Sequence, residues 1–273
     1  MQGKRIKKAW NKLLFCWNIS GSISSFFALT LNTKKYKWSK SRPKSKVKMN
    51  DRPVKYALRF GNKKRIVFLR TYCGDLDIFY EIFFEKAYAY PFSNHPLFIM
   101  DIGANIGLAS LYFLNRFPDC KIISLEPDPA NVAVFKKNLS FEINEQKIFI
   151  TEAALSNTDG YMFISKPFLK YNPKILEDQN SDEEKIEVKV ISMNSFLEKC
   201  SVDRIDIVKM DIEGSELQLF SSDTAWLTMV REIIMEVHSL TAYEVCNKAL
   251  DNNFKINGSF DTSFPQIIHW VGR

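Results

Sequence analysis

The sequence predicts an α/β fold in which helices cover both faces of a mostly parallel, twisted sheet. From residue 97 onwards, short apolar runs of strand length alternate with segments of helix length. The run at residues 97–100 leads through Asp101 into a turn that contains Gly103 and Gly107, and a helix-like segment follows. Such a junction is typical of a buried parallel strand that enters the N-terminus of a helix. Two late apolar runs lie close enough in sequence to form a hairpin.

The predicted elements follow in order along the chain. The strands are residues 97–100, 121–125, 147–150, 205–210 and 232–237, with a closing pair at 254–257 and 267–271 that is joined through Gly258. The helices are residues 108–116, a segment that opens at Asp128 and Pro129, a segment that opens with the capping-box pattern at Ser215 and Gln218, and residues 241–250. Residues 161–164 and 186–190 are predicted to pair, and residues 166–185 form a polar surface loop between them.

Three segments make up the predicted domain organisation: a basic N-terminal extension over residues 1–48, a lead-in over residues 49–96, and the main domain over residues 97–273. In the lead-in, apolar residues on both sides of Gly61 and Asn62 predict a hairpin over residues 54–70. Residues 75–90 are predicted to form an aromatic-rich helix that packs in the core.

The N-terminal extension carries two features that bear on membrane contact. Residues 13–31 are moderately apolar but contain Asn, Ser, Gly and Thr. They are therefore a weak candidate for a membrane span, which needs about 20 predominantly apolar residues, or for a cleaved signal peptide. We favour an interfacial or packed helix. Residues 34–48 are interpreted as a solvated basic linker, with attraction to an anionic lipid surface as the alternative.

The net charge of +7 hides a strong asymmetry. Residues 1–65 hold 19 Lys and Arg and a single acid, whereas residues 66–273 hold 19 Lys and Arg and 30 acids. The main domain is therefore acidic, which disfavours nucleic acid as a partner of its active face. The five cysteines are scattered without a C-x-x-C pair, so we interpret them as reduced thiols in a cytoplasmic protein.

The turn after residues 97–100 is the strongest functional signal. Its glycines let a ligand approach the backbone, and the following helix offers unpaired N–H groups. A dinucleotide fingerprint needs a second Gly that makes room for pyrophosphate, and Asn105 occupies that position here. Asp101 suits a cationic or amino-bearing ligand, and Glu126 ends the next strand, where a carboxylate can accept from both ribose hydroxyls. This pattern is typical of S-adenosylmethionine enzymes.

Four ordered blocks carry a more specific resemblance. They are residues 101–107 (DIGANIG), 126–131 (EPDPAN), 209–216 (KMDIEGSE) and 236–238 (EVH), with residues 70–77 as a similar lead-in. Together they resemble the FkbM family of S-adenosylmethionine-dependent methyltransferases over roughly residues 70–238. The resemblance implies a Rossmann-like class I methyltransferase fold with an antiparallel C-terminal strand, which the late hairpin suits.

The resemblance also implies S-adenosyl-L-methionine as the cofactor and oxygen as the acceptor atom, on a glycan or small-molecule hydroxyl. It places Asn131 near the adenosine, and Glu152 and Ala153 near the adenine ring. The expected cofactor-binding residues are Asp101, Gly103, Ala104, Asn105, Gly107, Glu126, Pro127, Asn131, Glu152 and Ala153.

Polar residues at two later strand ends are the candidates for catalysis. Since the ligand of an open parallel sheet lies outside the carboxyl ends of its strands, Asp211, Glu213, Glu236 and His238 are expected to face the site. His238 is the expected general base, with Glu236 or Asp211 orienting it. The alternatives are a histidine that is merely hydrogen-bonded at a strand end, and carboxylates that cap the next helix. A metal held by these four residues is chemically possible, but one His and no second acidic pair favour no metal.

Two other enzyme classes are disfavoured by residues of this sequence. A nucleic-acid methyltransferase usually carries an Asn/Asp-Pro-Pro-aromatic turn where this chain has residues 210–214, and Asn105 disfavours a nicotinamide-dependent oxidoreductase. A non-catalytic membrane-surface or scaffold protein that retains the fold is the remaining alternative. The turn over residues 101–107, which we call the cofactor turn, is undamaged, and this favours an enzyme.

Overall fold

The computed structural model describes residues 2–41, 51–92, 95–165, 185–212, 215–260 and 263–273. The chain forms two compact units, of which the first comprises Met1–Lys86 and the second begins at Ala87. Part of the predicted basic linker, residues 42–48, and most of the predicted surface loop, residues 166–184, lie outside the described residues.

The first unit consists of a helical pair, a hairpin and a short helix. Its elements are α1 (Gln2–Ile19), α2 (Ile23–Lys40), β1 (Val54–Phe60), β2 (Lys63–Leu69) and α3 (Asp75–Tyr80), which continues as a π-helical turn over Glu81–Glu85. The antiparallel pairing of β1 with β2 confirms the predicted hairpin. Of the helices that the structure describes, none combines the length and the apolar character needed to cross a membrane.

Two predictions for the first unit are wrong in their bounds. The predicted helix over residues 75–90 is shorter, because Lys86 adopts a left-handed backbone with φ 64° and ends it. Residues 34–40, predicted as part of a linker, are the last turns of α2. This helix is separated from α1 because Ser22 has an extended backbone and its hydroxyl accepts a hydrogen bond from the N–H of Ser25.

The second unit is built on a seven-stranded sheet. Its strands and helices are β3 (Phe98–Ile102), α4 (Leu108–Arg116), β4 (Lys121–Leu125), α5 (Pro129–Asn138), α6 (Ser140–Asn144), β5 (Ile148–Thr151), β9 (Ile205–Met210), α8 (Glu216–Phe220), β10 (Val230–Val237), α9 (Leu240–Leu250), β11 (Phe254–Ser259) and β12 (Gln266–Gly272). The strand order is β11-β12-β10-β9-β3-β4-β5. All neighbours are parallel except that β12 is antiparallel to both β10 and β11. This topology confirms the predicted fold class.

The reversal of strand order at β3 and β9 explains where the site forms. From β3 the chain adds β4 and β5 on one side, and from β9 it adds β10 on the other. Because crossovers between parallel strands are right-handed, the helices of the two halves cover opposite faces of the sheet. The crevice at the carboxyl ends of β3 and β9 is the switch point where ligands of such sheets bind.

A separate three-stranded sheet lies between β5 and β9 in the sequence. It contains β6 (Ala154–Ser156), β7 (Gly160–Ser165) and β8 (Lys185–Ser192), in the order β6-β8-β7, and the helix α7 (Met193–Cys200) follows it. The antiparallel pairing of β7 with β8 confirms the predicted pair.

Helix capping follows one prediction and contradicts another. Asp128 caps α5 by accepting from the N–H of Ala130 at 2.8 Å, as its position before Pro129 predicts. The capping box at Ser215 is wrong, because Ser215 has helical backbone angles and its side chain makes no capping bond to α8. Gly258 does not join the last two strands, since it lies within β11 at an irregularity in the pairing.

The five cysteines are free thiols. Burial raises the pKa of Cys73, Cys120 and Cys246 to about 12, so these thiols stay protonated at neutral pH.

Candidate active site

The turn between β3 and α4 depends on a glycine that lets two strand ends meet. Gly103 has φ 74°, and a Cβ atom at this position would lie 1.8 Å from the backbone oxygen of Asp211. The N–H of Asp211 donates to the carbonyl of Ile102 at 3.0 Å, so the end of β9 is hydrogen-bonded to the end of β3. Asn105 follows with φ 50°, and Gly107 with φ 84°. The turn after β3 and the residue that follows β9 are therefore in direct backbone contact.

Glu126 is buried against this turn and accepts hydrogen bonds from neutral donors. Its Oε2 accepts from the N–H of Asn105 at 2.8 Å. Its Oε1 accepts from the N–H of Asp128 and from Nδ2 of Asn131, both at 3.0 Å. Burial raises the pKa of Glu126 to about 7, because these hydrogen bonds offset only part of the desolvation of the charged form.

Asp101 is fully buried near the end of β3 and is held from two sides. Ser110 Oγ, on α4, donates to Oδ2 of Asp101 at 2.6 Å. Lys209 Nζ, on β9, lies 3.1 Å from Oδ1. Both oxygens of this expected cofactor residue thus face groups of the protein itself.

Lys209 links the cofactor turn to the acidic strand ends. It is opposite Asp101 in the pairing of β3 with β9, and its buried Nζ donates to the carbonyl of Gly103 at 2.7 Å. Burial alone would lower the pKa of Lys209, but the carboxylates of Asp101, Asp211 and Glu236 together raise it above its ordinary value. No role was predicted for Lys209 from the sequence, although a lysine inside an otherwise apolar strand indicates a charged partner.

The structure brings three of the four predicted catalytic residues together. Asp211 follows β9, Glu236 lies in β10, and His238 follows β10. Each offers one ligand atom, and these atoms lie within 4.8 Å of one another. The three side chains are partly buried, and a divalent cation would find here one imidazole and two carboxylates. The fourth predicted residue, Glu213, lies outside the described residues.

His238 is oriented by a residue that sequence analysis did not select. Its Nδ1 lies 2.8 Å from Oε1 of Glu216, which begins α8 and is fully buried. Its Nε2 lies 4.0 Å from Oε1 of Glu236. The strong partner of the imidazole is thus Glu216, at the end of the block of residues 209–216.

The remaining predicted cofactor residues lie around the same strand ends. Ala104 is buried, and its N–H donates to the carbonyl of Leu125 at 2.9 Å. Pro127 is half-buried before α5, whereas Glu152 is exposed and Ala153 is buried just after β5. Three of the predicted cofactor residues, Asp101, Glu126 and Glu152, are thus acids at or just after the ends of β3, β4 and β5.

The turn fits S-adenosylmethionine by an observation on its backbone. Gly103 and Asn105 both have left-handed backbone angles, and Gly103 has no side chain that would keep a ligand from the backbone. The carboxylate of Glu126 lies beside them as a hydrogen-bond acceptor. Asn105 stands where the dinucleotide pattern has its second Gly, and its Oδ1 accepts from the N–H of Ile106 at 2.8 Å.

Comparison with known proteins agrees with this geometry. The family model described as Methyltransferase FkbM domain matches residues 101–271. A protein of Sordaria araneosa named methyltransferase sdnD is 27% identical over 58% of this chain and 73% of its own length. A protein of Sinorhizobium fredii named 2-O-methyltransferase NoeI is 24% identical over 54% of this chain and 65% of its own length.

Among solved structures, the methyltransferase FkbM from Methylobacillus flagellatus KT shares the fold with a TM-score of 0.50 and 14% sequence identity. The alignment covers 68% of this chain but only 47% of that chain, so the present chain spans about half of its length.

Proposed function

The chain belongs to the FkbM family of S-adenosylmethionine-dependent methyltransferases, and we propose that it methylates a hydroxyl on a glycan or small-molecule acceptor with His238 as the general base. The observation that carries the proposal is the 2.8 Å contact between Nδ1 of His238 and the buried carboxylate of Glu216. This pair stands at the sheet edge that also carries the cofactor turn.

S-adenosylmethionine, when bound, supplies a methyl group that its sulfonium makes electrophilic. We propose that Glu126 accepts hydrogen bonds from the ribose hydroxyls and that the turn after β3 holds the amino-acid end. The residues proposed to form the cofactor site are Gly103, Ala104, Asn105, Gly107, Glu126, Pro127, Asn131, Glu152 and Ala153. Asp101 belongs to the same proposed site and supports the turn through Lys209, whose Nζ donates to the carbonyl of Gly103.

The proposed mechanism uses one tautomer of the base. In it, the carboxylate of Glu216 accepts a hydrogen bond from Nδ1–H of His238, and the lone pair of the imidazole is on Nε2. Nε2 is the nitrogen on the side of Glu236. Nε2 would take the proton of the acceptor hydroxyl while the methyl group passes from the sulfonium sulfur to the acceptor oxygen, with S-adenosylhomocysteine as the leaving group. General-base catalysis of this kind contributes roughly 10²–10⁴-fold to a rate.

Oxygen as the acceptor is supported by two lines of reasoning. One relative carries the name 2-O-methyltransferase, and an imidazole at the site can accept the proton that a hydroxyl must lose during transfer. The acidic main domain supports an acceptor other than nucleic acid.

The cofactor part of the proposal is tested by isothermal titration with S-adenosylhomocysteine at pH 8. We expect Glu126→Gln to weaken binding by about 10–100-fold, because hydrogen bonds to a charged group contribute about 1.5–3 kcal/mol. Glu142→Gln is the matched control, since Glu142 is equally buried but lies in α6, away from the turn after β3. Its backbone carbonyl accepts from the N–H of Lys147, just before β5. A folded wild-type protein without affinity for S-adenosylhomocysteine would overturn the proposed enzymatic function and favour a non-catalytic scaffold protein.

The base is tested by methyl transfer from labelled S-adenosylmethionine to a panel of hydroxyl-bearing glycans and small molecules. His238→Ala should lower kcat by about 10²–10⁴-fold and leave affinity for S-adenosylhomocysteine unchanged. His95→Ala is the control, because His95 is exposed before β3. Transfer to an amine in preference to every hydroxyl, or an active His238→Ala protein, would contradict the proposed role.

A chelator separates the base from a metal site in the same residues. With His238 as the base, activity should survive EDTA. Activity that is lost on chelation and restored by Mg²⁺ or Mn²⁺ would instead assign Asp211, Glu236 and His238 to a cation.

A further inference from the structure

The outer side of α1 is apolar although it is exposed. Trp10, Leu13, Leu14 and Trp17 have exposed fractions of 65%, 42%, 49% and 56%. Their spacing of three, four and seven residues places them on one side of the helix. Two tryptophans on one exposed helix side need an explanation, because large apolar patches on a protein surface mark interaction sites.

A second apolar stripe runs along α2. Ile23, Phe27, Leu31 and Trp38 follow one another on one side of that helix, and their exposed fractions lie between 53% and 67%. Phe26 connects the two stripes, because its ring packs edge-on against Trp17 with centroids 5.2 Å apart and lies 5.3 Å from the ring of Phe27.

We call the combined surface the aromatic face. Together with Phe26, the four exposed residues of α1 line an open groove of about 200 Å³. The complete set is Trp10, Leu13, Leu14, Trp17, Ile23, Phe26, Phe27, Leu31 and Trp38.

The aromatic face is not the side by which the helices pack in their own unit. Cys16 Sγ lies 3.2 Å from the hydroxyl of Tyr80, which is also 2.8 Å from Oγ1 of Thr33. Asn32 Nδ2 donates to the hydroxyl of Tyr56 at 2.7 Å. These contacts attach the inner sides of both helices to α3 and to the hairpin, so the outward orientation of the aromatic face is fixed.

The two helices that carry the aromatic face hold charged residues of one sign. Residues 1–41 hold nine Lys and Arg and no Asp or Glu. Lys34, Lys35 and Lys37 are exposed on α2 between Leu31 and Trp38. An apolar surface bordered by lysines complements an anionic surface whose interior is apolar, which is the chemistry of a bilayer with acidic headgroups.

We propose that the aromatic face docks on an anionic lipid bilayer, with Trp10 and Trp17 inserted at the headgroup level and the lysines of α2 against the lipid phosphates. Trp and Tyr concentrate at membrane interfaces, and an amphipathic helix of this kind lies in the plane of the interface. The proposal is independent of the acceptor and of catalysis.

Co-sedimentation of the full chain with vesicles tests the docking. We expect binding to phosphatidylcholine vesicles that contain phosphatidylserine, at least tenfold weaker binding to phosphatidylcholine alone, and weakening by salt. Tryptophan fluorescence gives a second readout. Because Trp226 and Trp270 are buried, a blue shift on vesicle binding reports the exposed tryptophans of α1 and α2.

Matched variants separate the aromatic face from general stickiness. Trp10→Ser with Trp17→Ser should reduce vesicle binding at least tenfold, whereas Phe141→Ser should not, although Phe141 on α6 is 66% exposed. Replacing Lys34, Lys35 and Lys37 by Glu should abolish the preference for phosphatidylserine. Replacing exposed Lys136 and Lys137 of α5 by Glu should preserve it.

Three outcomes would overturn the proposal. The first is a protein with native circular dichroism that does not bind the acidic vesicles. The second is a Trp10→Ser/Trp17→Ser protein that binds them as the wild type does. The third is a wild-type dimer that this double variant converts to a monomer in light scattering, since a second copy of the chain would then cover the aromatic face.

Discussion

Asp101 and Glu126 are buried carboxylates at the ends of neighbouring parallel strands, and the protein stabilises them in different ways. Asp101 has a cation beside it, since Lys209 Nζ lies 3.1 Å from its Oδ1. The hydrogen-bond donors that reach Glu126 in the described chain are neutral: two backbone N–H groups and the amide of Asn131.

The different partners of the two carboxylates have different consequences for Lys209 and for Glu126. The carboxylates near Lys209 raise its pKa, so the lysine stays charged and keeps its bond to the carbonyl of Gly103. Neutral donors offset the desolvation of Glu126 only in part, and its pKa rises to about 7. A ligand or a modest pH change can therefore shift the charge of Glu126.

The largest effect is expected from removal of the cation beside Asp101. Lys209→Met should lower the free energy of unfolding by about 3–5 kcal/mol, because it leaves a buried carboxylate without its partner and the carbonyl of Gly103 without a donor. Urea denaturation measures the loss. Lys121→Met, at an exposed lysine of β4, should change stability by less than about 0.5 kcal/mol.

A double variant sharpens this result. Lys209→Met combined with Asp101→Asn removes both charges, and replacement of a whole buried ion pair is often nearly neutral. The double variant should therefore recover most of the stability that Lys209→Met loses. A double variant that is no more stable than Lys209→Met would show that Lys209 does not stabilise the protein through its ion pair with Asp101.

Sequence patterns were sufficient where structure is decided locally. The bounds predicted for α4, β4 and β9 are those of the structure, because each is a run with one dominant periodicity and a clear boundary residue. The N-terminal segment was harder, since the apolar residues of α1 and α2 that face outward resemble those that face the core. Composition does not reveal which side of a helix is covered.

The site divides in the same way. Gly103, Asn105 and Gly107 lie in one short turn, and the sequence motif locates them together. Glu216 and His238 are 22 residues apart, and only the folded sheet brings α8 beside the end of β10. Lys209 is likewise recognised as a partner of Asp101 only through the register of β3 with β9.

A smaller effect is expected in the pH dependence of stability, through Glu126. With a pKa of about 7 in the folded protein against an ordinary value of 4.5, the folded state holds more protons than the unfolded chain between these pH values. The free energy of unfolding should therefore fall as pH rises through this window, by up to about 3 kcal/mol. Glu126→Gln lacks this dependence, so the free energy of unfolding of the wild type should fall relative to that of the variant across the window. Parallel curves from urea denaturation at several pH values would contradict the raised pKa.

The smallest expected effect on stability comes from the hydrogen bond that Nδ2 of Asn131 donates to Glu126. This hydrogen bond favours the charged form of Glu126 and lowers its pKa. Asn131→Ala should thus destabilise the protein by about 1 kcal/mol more at pH 8, where Glu126 is ionised, than at pH 5.5, because hydrogen bonds to charged groups are the stronger ones. Asn115→Ala is the matched control, since Nδ2 of Asn115 donates to the neutral carbonyl of Leu111 at 2.8 Å, and its cost should be the same at both pH values. An equal pH dependence of the two variants would mean that Glu126 does not change charge in this range, and its contrast with Asp101 would then be one of geometry alone.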